Sequence, residues 1–216
     1  LSALYLYDID GTILNAGGAG RRALNAAFHD EFGVADAFAQ VTFAGRTDLG
    51  ILREAFERAG LPSANERLLE AYLPKLKAEL SRRTPTVLAG VPAAIDATGQ
   101  QGHNALLTGN LRQGAQAKLR AVGLWERFGM GAYGTDAEDR NDLVPVARAR
   151  AAAAGLVFDR VVVIGDTPAD VACARAGGAL AVGVCTGWSS RDALAEAQPD
   201  ALLDDLKQGL GALLAL

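Results

Sequence analysis

The sequence predicts an α/β fold in which a mostly parallel sheet is covered by helices and interrupted by a helical insertion. Three observations carry that prediction. From about residue 92 onward, short apolar runs alternate with helical patterns. Three apolar runs end in residues that carry chemistry: Leu4–Tyr7 leads into Asp8, Leu106–Leu107 into Thr108, and Val161–Ile164 into Gly165 and Asp166. Between the first run and the later ones, residues 47–83 carry little strand signal and space their apolar residues as a helix does.

Leu4-Tyr5-Leu6-Tyr7 is continuously apolar, as expected of a strand covered on both faces. Asp8-Ile9-Asp10-Gly11-Thr12 then places two carboxylates at the strand's end. Burying them is costly without a cation or donors, and a divalent metal is the obvious compensator. Gly11 lets the chain leave the strand in a conformation closed to other residues. The small residues of 15–20 precede a helix predicted from Arg21 to Phe32. Leu49, Leu52 and Phe56, then Leu68, Leu69, Tyr72, Leu76 and Leu80, recur at helical spacing. Pro74 is expected to kink the second of these stretches or begin a turn. Residues 15–83 thus read as a helical insertion, and residues 1–14 with 84–216 as the α/β core.

Thr84-Pro85-Thr86 reads as the return linker, and Pro92 suits the first turn of a helix reaching Gly99. A strand is predicted over 104–107, a helix over 113–121, a short strand at Ala132-Tyr133 and a helix over 142–153. A strand over 161–164, a helix over 168–176, a strand over 179–184 and a last strand and helix from Ala201 complete the pattern. In an open parallel sheet the carboxyl ends of the strands share the edge where ligands bind, so Asp8, Asp10, Thr108, Asp166 and Asp170 are expected to converge.

Half of the 216 residues are hydrophobic and 21% are charged, a globular balance. The net charge of −4 comes without a block of Lys and Arg, which disfavours nucleic acid and anionic membrane as partners. With no membrane-spanning apolar run and no signal-peptide pattern, a cytoplasmic protein is expected. Cys173 and Cys185 lack metal-ligand spacing and sit among small apolar residues, so both are expected to be buried thiols.

Asp-x-Asp-Gly-Thr at 8–12, Thr108, and Gly-Asp-x-x-x-Asp at 165–170 together resemble the haloacid dehalogenase superfamily in its phosphatase branch, from Leu4 to about Leu206. The resemblance implies a Rossmann-like core with a helical cap, and Mg²⁺-dependent hydrolysis of a small phosphorylated metabolite. By the same resemblance, Asp8 is nucleophile and metal ligand, and Asp10 is general acid and base with its carbonyl on the metal. Asp166 completes the protein ligands, and Asp170 supports the site from behind. The Thr108 hydroxyl and the amides of Gly109 and Asn110 cradle the phosphoryl group, with a strand-end cap as the competing reading of Thr108.

The family also places a basic side chain, commonly Lys, between these motifs. Here no Lys-Pro precedes the helix at 142, and Arg140 occupies the comparable region. Its fork can do the same work; the competing reading is an exposed ion pair with Asp136, Glu138 or Asp139. Lys118 is the next candidate, although its helical setting points to the surface. Phe43-Ala44-Gly45-Arg46-Thr47-Asp48 resembles the substrate-facing loop of caps in the phosphoglycolate phosphatase and β-phosphoglucomutase relatives, which puts Arg46 on the substrate. A helix start capped by Thr47 or Asp48 competes with that reading. His29 and His103 read as structural, and Trp188 as packing or rim. Asp10 argues against dehalogenase and phosphonatase chemistry, since those relatives lack a second Asp in the first motif. β-Phosphoglucomutase-like phosphoryl transfer keeps both Asp residues and stays open, as does a non-enzymatic module retaining the fold.

Overall fold

Strands of two to six residues and the amphipathic helices between them build a six-stranded sheet with helices on both faces in a computed structural model, which describes residues 2–216. In chain order the strands are β1 (Ala3–Tyr7), β2 (Leu14–Asn15), β3 (Thr86–Val87), β4 (Gly102–Leu107), β5 (Gly131–Ala132), β6 (Arg160–Gly165), β7 (Leu180–Val184) and β8 (Ala201–Leu203). The helices are α1 (Ala19–Phe32), α2 (Asp48–Ala59), α3 (Asn65–Arg82), α4 (Val91–Gln101), α5 (Arg112–Arg120), α6 (Leu143–Ala153), α7 (Pro168–Ala176), α8 (Arg191–Glu196) and α9 (Leu210–Leu214). The six-stranded sheet runs β5-β4-β1-β6-β7-β8, parallel at every pairing, while β2 and β3 form a small antiparallel ladder. The Rossmann-like α/β class read from the sequence is the one observed.

Strand alternation sorts the core into two layers. Tyr5, Tyr7, Leu106, Val162 and Ile164 face one side with α4 and α5. Leu4, Leu6, Ala105, Leu107, Val161 and Val163 face the other with α6 and α7. All five residues of β1 are buried, which accounts for its uninterrupted apolar run.

α1, α2 and α3 lie in sequence between β2 and β3. Leu68, Tyr72, Leu76 and Leu80 recur every fourth residue on α3 and are buried, and Ala23, Leu24, Ala27 and Phe28 do the same on α1. Phe28 meets Phe32, Phe38 and Phe56 with ring centroids 4.9–5.6 Å apart.

Several boundaries differ from the sequence reading. α1 starts at Ala19, because Gly18 adopts a left-handed conformation and begins the helix there. Pro74 lies inside α3 and neither ends it nor begins a turn. A proline there removes a backbone donor, and the buried stripe on both sides of it holds the helix together. The helix expected from Asp142 opens instead with a 3₁₀ turn at Arg140–Asp142, and α6 begins at Leu143. The short strand is Gly131–Ala132. α8, with Ser190 capping its amino end, lacks a long periodic pattern and was not anticipated. Cys173 is buried, but Cys185 is only partly so, which corrects the expectation for the second thiol. No helix among the described residues is long and apolar enough to cross a membrane.

Candidate active site

Three neighbouring strands deliver the polar groups. The ladder continues one residue past β1, where the Asp8 amide donates to the Ile164 carbonyl (2.9 Å), and past β4, where the Thr108 amide donates to the Ala132 carbonyl (3.0 Å). Asp8, Thr108 and Asp166 therefore stand side by side at the carboxyl edge, because β4, β1 and β6 are adjacent in the sheet. Gly11 sits at φ +90°, and a Cβ there would overlap the Asp166 carboxylate, so the first loop can fold over the third only with glycine. Gly187 makes a similar approach, and the Trp188 amide donates to Asp166 Oδ2 (2.8 Å).

Asp8, Asp166 and Asp170 are all buried, and one oxygen of each lies within 4.8 Å of the others. Burial pushes the Asp8 carboxyl up to about 6, against the pull of Arg140. Burial and then repulsion by Asp8 push Asp166 up to about 8. Such a set of buried oxygen donors suits a hard divalent cation. Asp170 is otherwise occupied: its Oδ2 accepts from the Thr167 amide (3.0 Å) and hydroxyl (2.7 Å) in a capping box at the start of α7, and its Oδ1 accepts from Arg140.

Arg140 is 7% exposed and spans Asp170 and Asp8, the latter at 3.4 Å. Burial opposes its charge, but Asp170 and Asp8 more than offset this and raise its pKa above the ordinary guanidinium value. Its Nε is buried with no protein partner among the described residues. The exposed ion pair considered from sequence does not form: Asp136 pairs with Arg150, and Glu138 with Arg53.

Lys118 overturns its surface reading. It is 5% exposed on α5, and its Nζ donates to Asp10 Oδ2 (2.5 Å) and Asn110 Oδ1 (2.6 Å). Helical position alone said surface, but this face of α5 turns toward the sheet edge. Asn110 Nδ2 also donates to Asp10 Oδ2 (2.8 Å) and to Thr108 Oγ1 (2.9 Å). Thr108 Oγ1 accepts from the Asn110 amide as well (3.3 Å), and its own hydrogen has no acceptor among the described residues.

The loop expected to face substrate does reach the sheet edge. Thr47 caps α2, accepting from the Gly50 amide (3.3 Å) and donating to the Glu138 carbonyl (2.5 Å). The Asp48 amide donates to the Gly109 carbonyl (2.7 Å), and Asp48 Oδ2 accepts from the Leu111 amide (2.8 Å). Burial pushes Asp48 up to about 6, with Lys118 pulling the other way. Arg46 lines the cavity, yet its guanidinium is held by Glu54 and by the Gly50 carbonyl (2.9 Å). Gly109 packs so closely on the Arg46 carbonyl that a Cβ would overlap it. The cavity, about 850 Å³, opens over Asp8, Asp10 and Asp166 with Trp188, 67% exposed, at its rim. His29 and His103 do not line it. Sequence reasoning missed Tyr72 as a cavity residue, took Asp48 as no more than a candidate cap within the substrate-facing loop, and ranked Lys118 behind Arg140; a polar residue recurring on an otherwise buried helix face was the available signal for Tyr72 and Lys118.

A family model described as haloacid dehalogenase-like hydrolase matches residues 5–175, and a second described as HAD-hyrolase-like matches residues 142–209. The chain is 27% identical to "Probable phosphatase IndB" of Dickeya dadantii (strain 3937), over 100% of this chain and 95% of that protein. It is 29% identical to "Phosphoglycolate phosphatase" of Rhodospirillum rubrum, over 93% of this chain and 86% of that one. Its fold matches the crystal structure of CbbY from Rhodobacter sphaeroides in complex with phosphate, with TM-score 0.73 and 19% identity over 97% of this chain and 96% of that one.

Proposed function

The chain belongs to the haloacid dehalogenase-like hydrolases, and from that premise we propose that it is a phosphatase acting on a small soluble phosphomonoester through a phosphoryl group carried on Asp8. One observation carries the reading: buried Asp8 lies against the Arg140 guanidinium, while Asp10, two residues on, turns its carboxylate away to Lys118 and Asn110. The two carboxylates thus differ in surroundings, as a nucleophile and a proton carrier must. The names of the Dickeya and Rhodospirillum relatives support the same class.

Asp8 attacks phosphorus, the bond to the ester oxygen breaks, and Asp10 gives that oxygen its proton. Asp10 then takes a proton from water as the water's oxygen attacks phosphorus, releasing inorganic phosphate and restoring Asp8. Arg140, which lines the cavity, and the Thr108 hydroxyl hydrogen serve the equatorial phosphoryl oxygens, with Gly109 lining the cavity next to Thr108. The Asp8 and Asp166 carboxylates with the Asp10 carbonyl would hold Mg²⁺, which when bound neutralises phosphoryl charge. Asp170 aims Arg140. Residues 15–83 act as a cap over residues 1–14 and 84–216, and Arg46 borders the leaving-group side.

The test is phosphate release from p-nitrophenyl phosphate with Mg²⁺, repeated after chelation, with acid quenching to look for a phosphoryl adduct on the peptide bearing Asp8. Turnover with Mg²⁺, loss on chelation and an adduct absent from Asp8→Asn are expected. Metal-independent turnover, or an adduct on another residue, overturns the mechanism.

A further inference from the structure

Beside Asp10, the cavity wall holds hydrogen-bonding capacity that phosphoryl transfer does not use. Tyr72 on α3 is 3% exposed and borders the cavity, and its hydroxyl has no hydrogen-bond partner among the described residues. Lys118 Nζ spends two of its three N–H groups on Asp10 and Asn110, leaving one. Asp48 gives one oxygen to the Leu111 amide, and the other has no partner among the described residues. Asp48 and Lys118 both line the cavity but do not form an ion pair. Gly20 keeps the space open, since a Cβ there would lie 3.8 Å from both Lys118 Nζ and Tyr72 Oη. The Tyr72 hydroxyl and the second Asp48 oxygen are open to the cavity and not sealed in the core, so a ligand group can pair them.

The charge balance selects the kind of group. The lining carries four carboxylates, Asp8, Asp10, Asp48 and Asp166, against four cations, Arg21, Arg46, Lys118 and Arg140, and beside Tyr72 the lone Lys118 ammonium faces Asp10 and Asp48, so a further anion finds no surplus of positive charge there. The other cavity cations are committed: Arg46 to Glu54, Arg140 to Asp8 and Asp170, and Arg21 to the carbonyls of Phe38 (3.2 Å) and Val41 (3.1 Å). A hydroxyl, donor and acceptor at once, can accept from Tyr72 or Lys118 and donate to Asp48 while adding no charge.

We propose that Tyr72, Lys118 and Asp48 form a hydroxyl-binding subsite next to Asp10, which selects phosphate esters of polyhydroxylated alcohols, with a free hydroxyl close to the ester oxygen, over esters carrying a carboxylate there. The subsite rests on the phosphatase reading and sharpens it, and it separates this chain's preference from the substrate in the name of the Rhodospirillum relative.

The experiment measures kcat/KM with Mg²⁺ for glycerol 1-phosphate, propyl phosphate and phosphoglycolate, with p-nitrophenyl phosphate as a general reporter. Wild-type protein is expected to prefer glycerol 1-phosphate over each of the other two alkyl esters by about tenfold or more, since a site built for a hydroxyl penalises an analogue that leaves it unpaired. Tyr72→Phe, which keeps the ring and removes the donor, should cut the glycerol-to-propyl ratio by about tenfold. Equal values for glycerol and propyl phosphates, a preference for phosphoglycolate, or an unchanged ratio in Tyr72→Phe overturns the subsite while p-nitrophenyl phosphate turnover upholds the phosphatase reading. No phosphate release from any of the four overturns both.

Discussion

Two buried cations divide the work at the residue scale. Arg140 lies between Asp8 and Asp170, and Lys118 between Asp10 and Asn110. Arg140→Lys keeps the charge but removes the fork that spans two carboxylates. It should lower kcat for alkyl and aryl phosphates alike, by about ten- to a hundredfold, since one charge-assisted contact is lost in the transition state; an unchanged kcat in steady-state assays removes Arg140 from the phosphoryl group. Lys118→Met should discriminate between leaving groups. Asp10, released from its partner, protonates a poor alkoxide less well, while nitrophenolate leaves unaided. The kcat loss for an alkyl phosphate is therefore expected to exceed that for p-nitrophenyl phosphate by about tenfold or more, and equal losses would mean that Lys118 serves packing alone. Asp8, Asp10 and Asp166 were legible because their motif places them at strand ends. Lys118 was legible only as the second candidate, because a helical lysine ordinarily faces water and the one sign against it is that Lys118 shares a face with Ala115 and Leu119.

At the element scale, the amino end of α2 rests on the turn after β4. The Asp48 amide and carboxylate bond Gly109 and Leu111, Thr47 reaches Glu138, and Gly109 meets the Arg46 backbone too closely for a side chain. Gly109→Ala should push the 43–47 loop off that turn and destabilise the protein by about 1–3 kcal/mol, seen as a lower urea midpoint with a fall in kcat/KM. A midpoint and activity equal to wild type would show that the two backbones are not pressed together. The helix starts follow from local chemistry, Thr47 and Thr167 both capping through their hydroxyls. The unbroken α3 does not, since the signal of Pro74 is local and the buried stripe that overrides it acts through α1.

For the whole molecule, the buried carboxylates make stability depend on pH and metal together. Asp8 and Asp166 are raised from 3.8 to about 6 and about 8, so the metal-free fold binds protons that the unfolded chain has released. The contribution of these groups is fully present below about pH 4 and is lost as pH rises through 6 and 8. Mg²⁺ held as proposed would displace those protons and offset the loss, so the Mg²⁺-induced rise in Tm should be larger at pH 8 than at pH 5.5. A rise of equal size at both pH values, followed by thermal denaturation, would contradict a metal held by these carboxylates.

By itself the sequence determined the α/β class, the strand ends that carry Asp8, Thr108 and Asp166, and the helical character of the insertion. These follow from short-range periodicity, and from the rule that parallel strands expose their carboxyl ends along one edge. Tertiary structure alone decided the partnerships: Lys118 with Asp10 across 108 positions, Arg140 with Asp170 across 30, and Asp48 with Leu111 across 63. Those pairings depend on which face of each helix the packed core turns inward. Burial then makes them matter, because a charge removed from water must find its counter-charge wherever the fold has brought one.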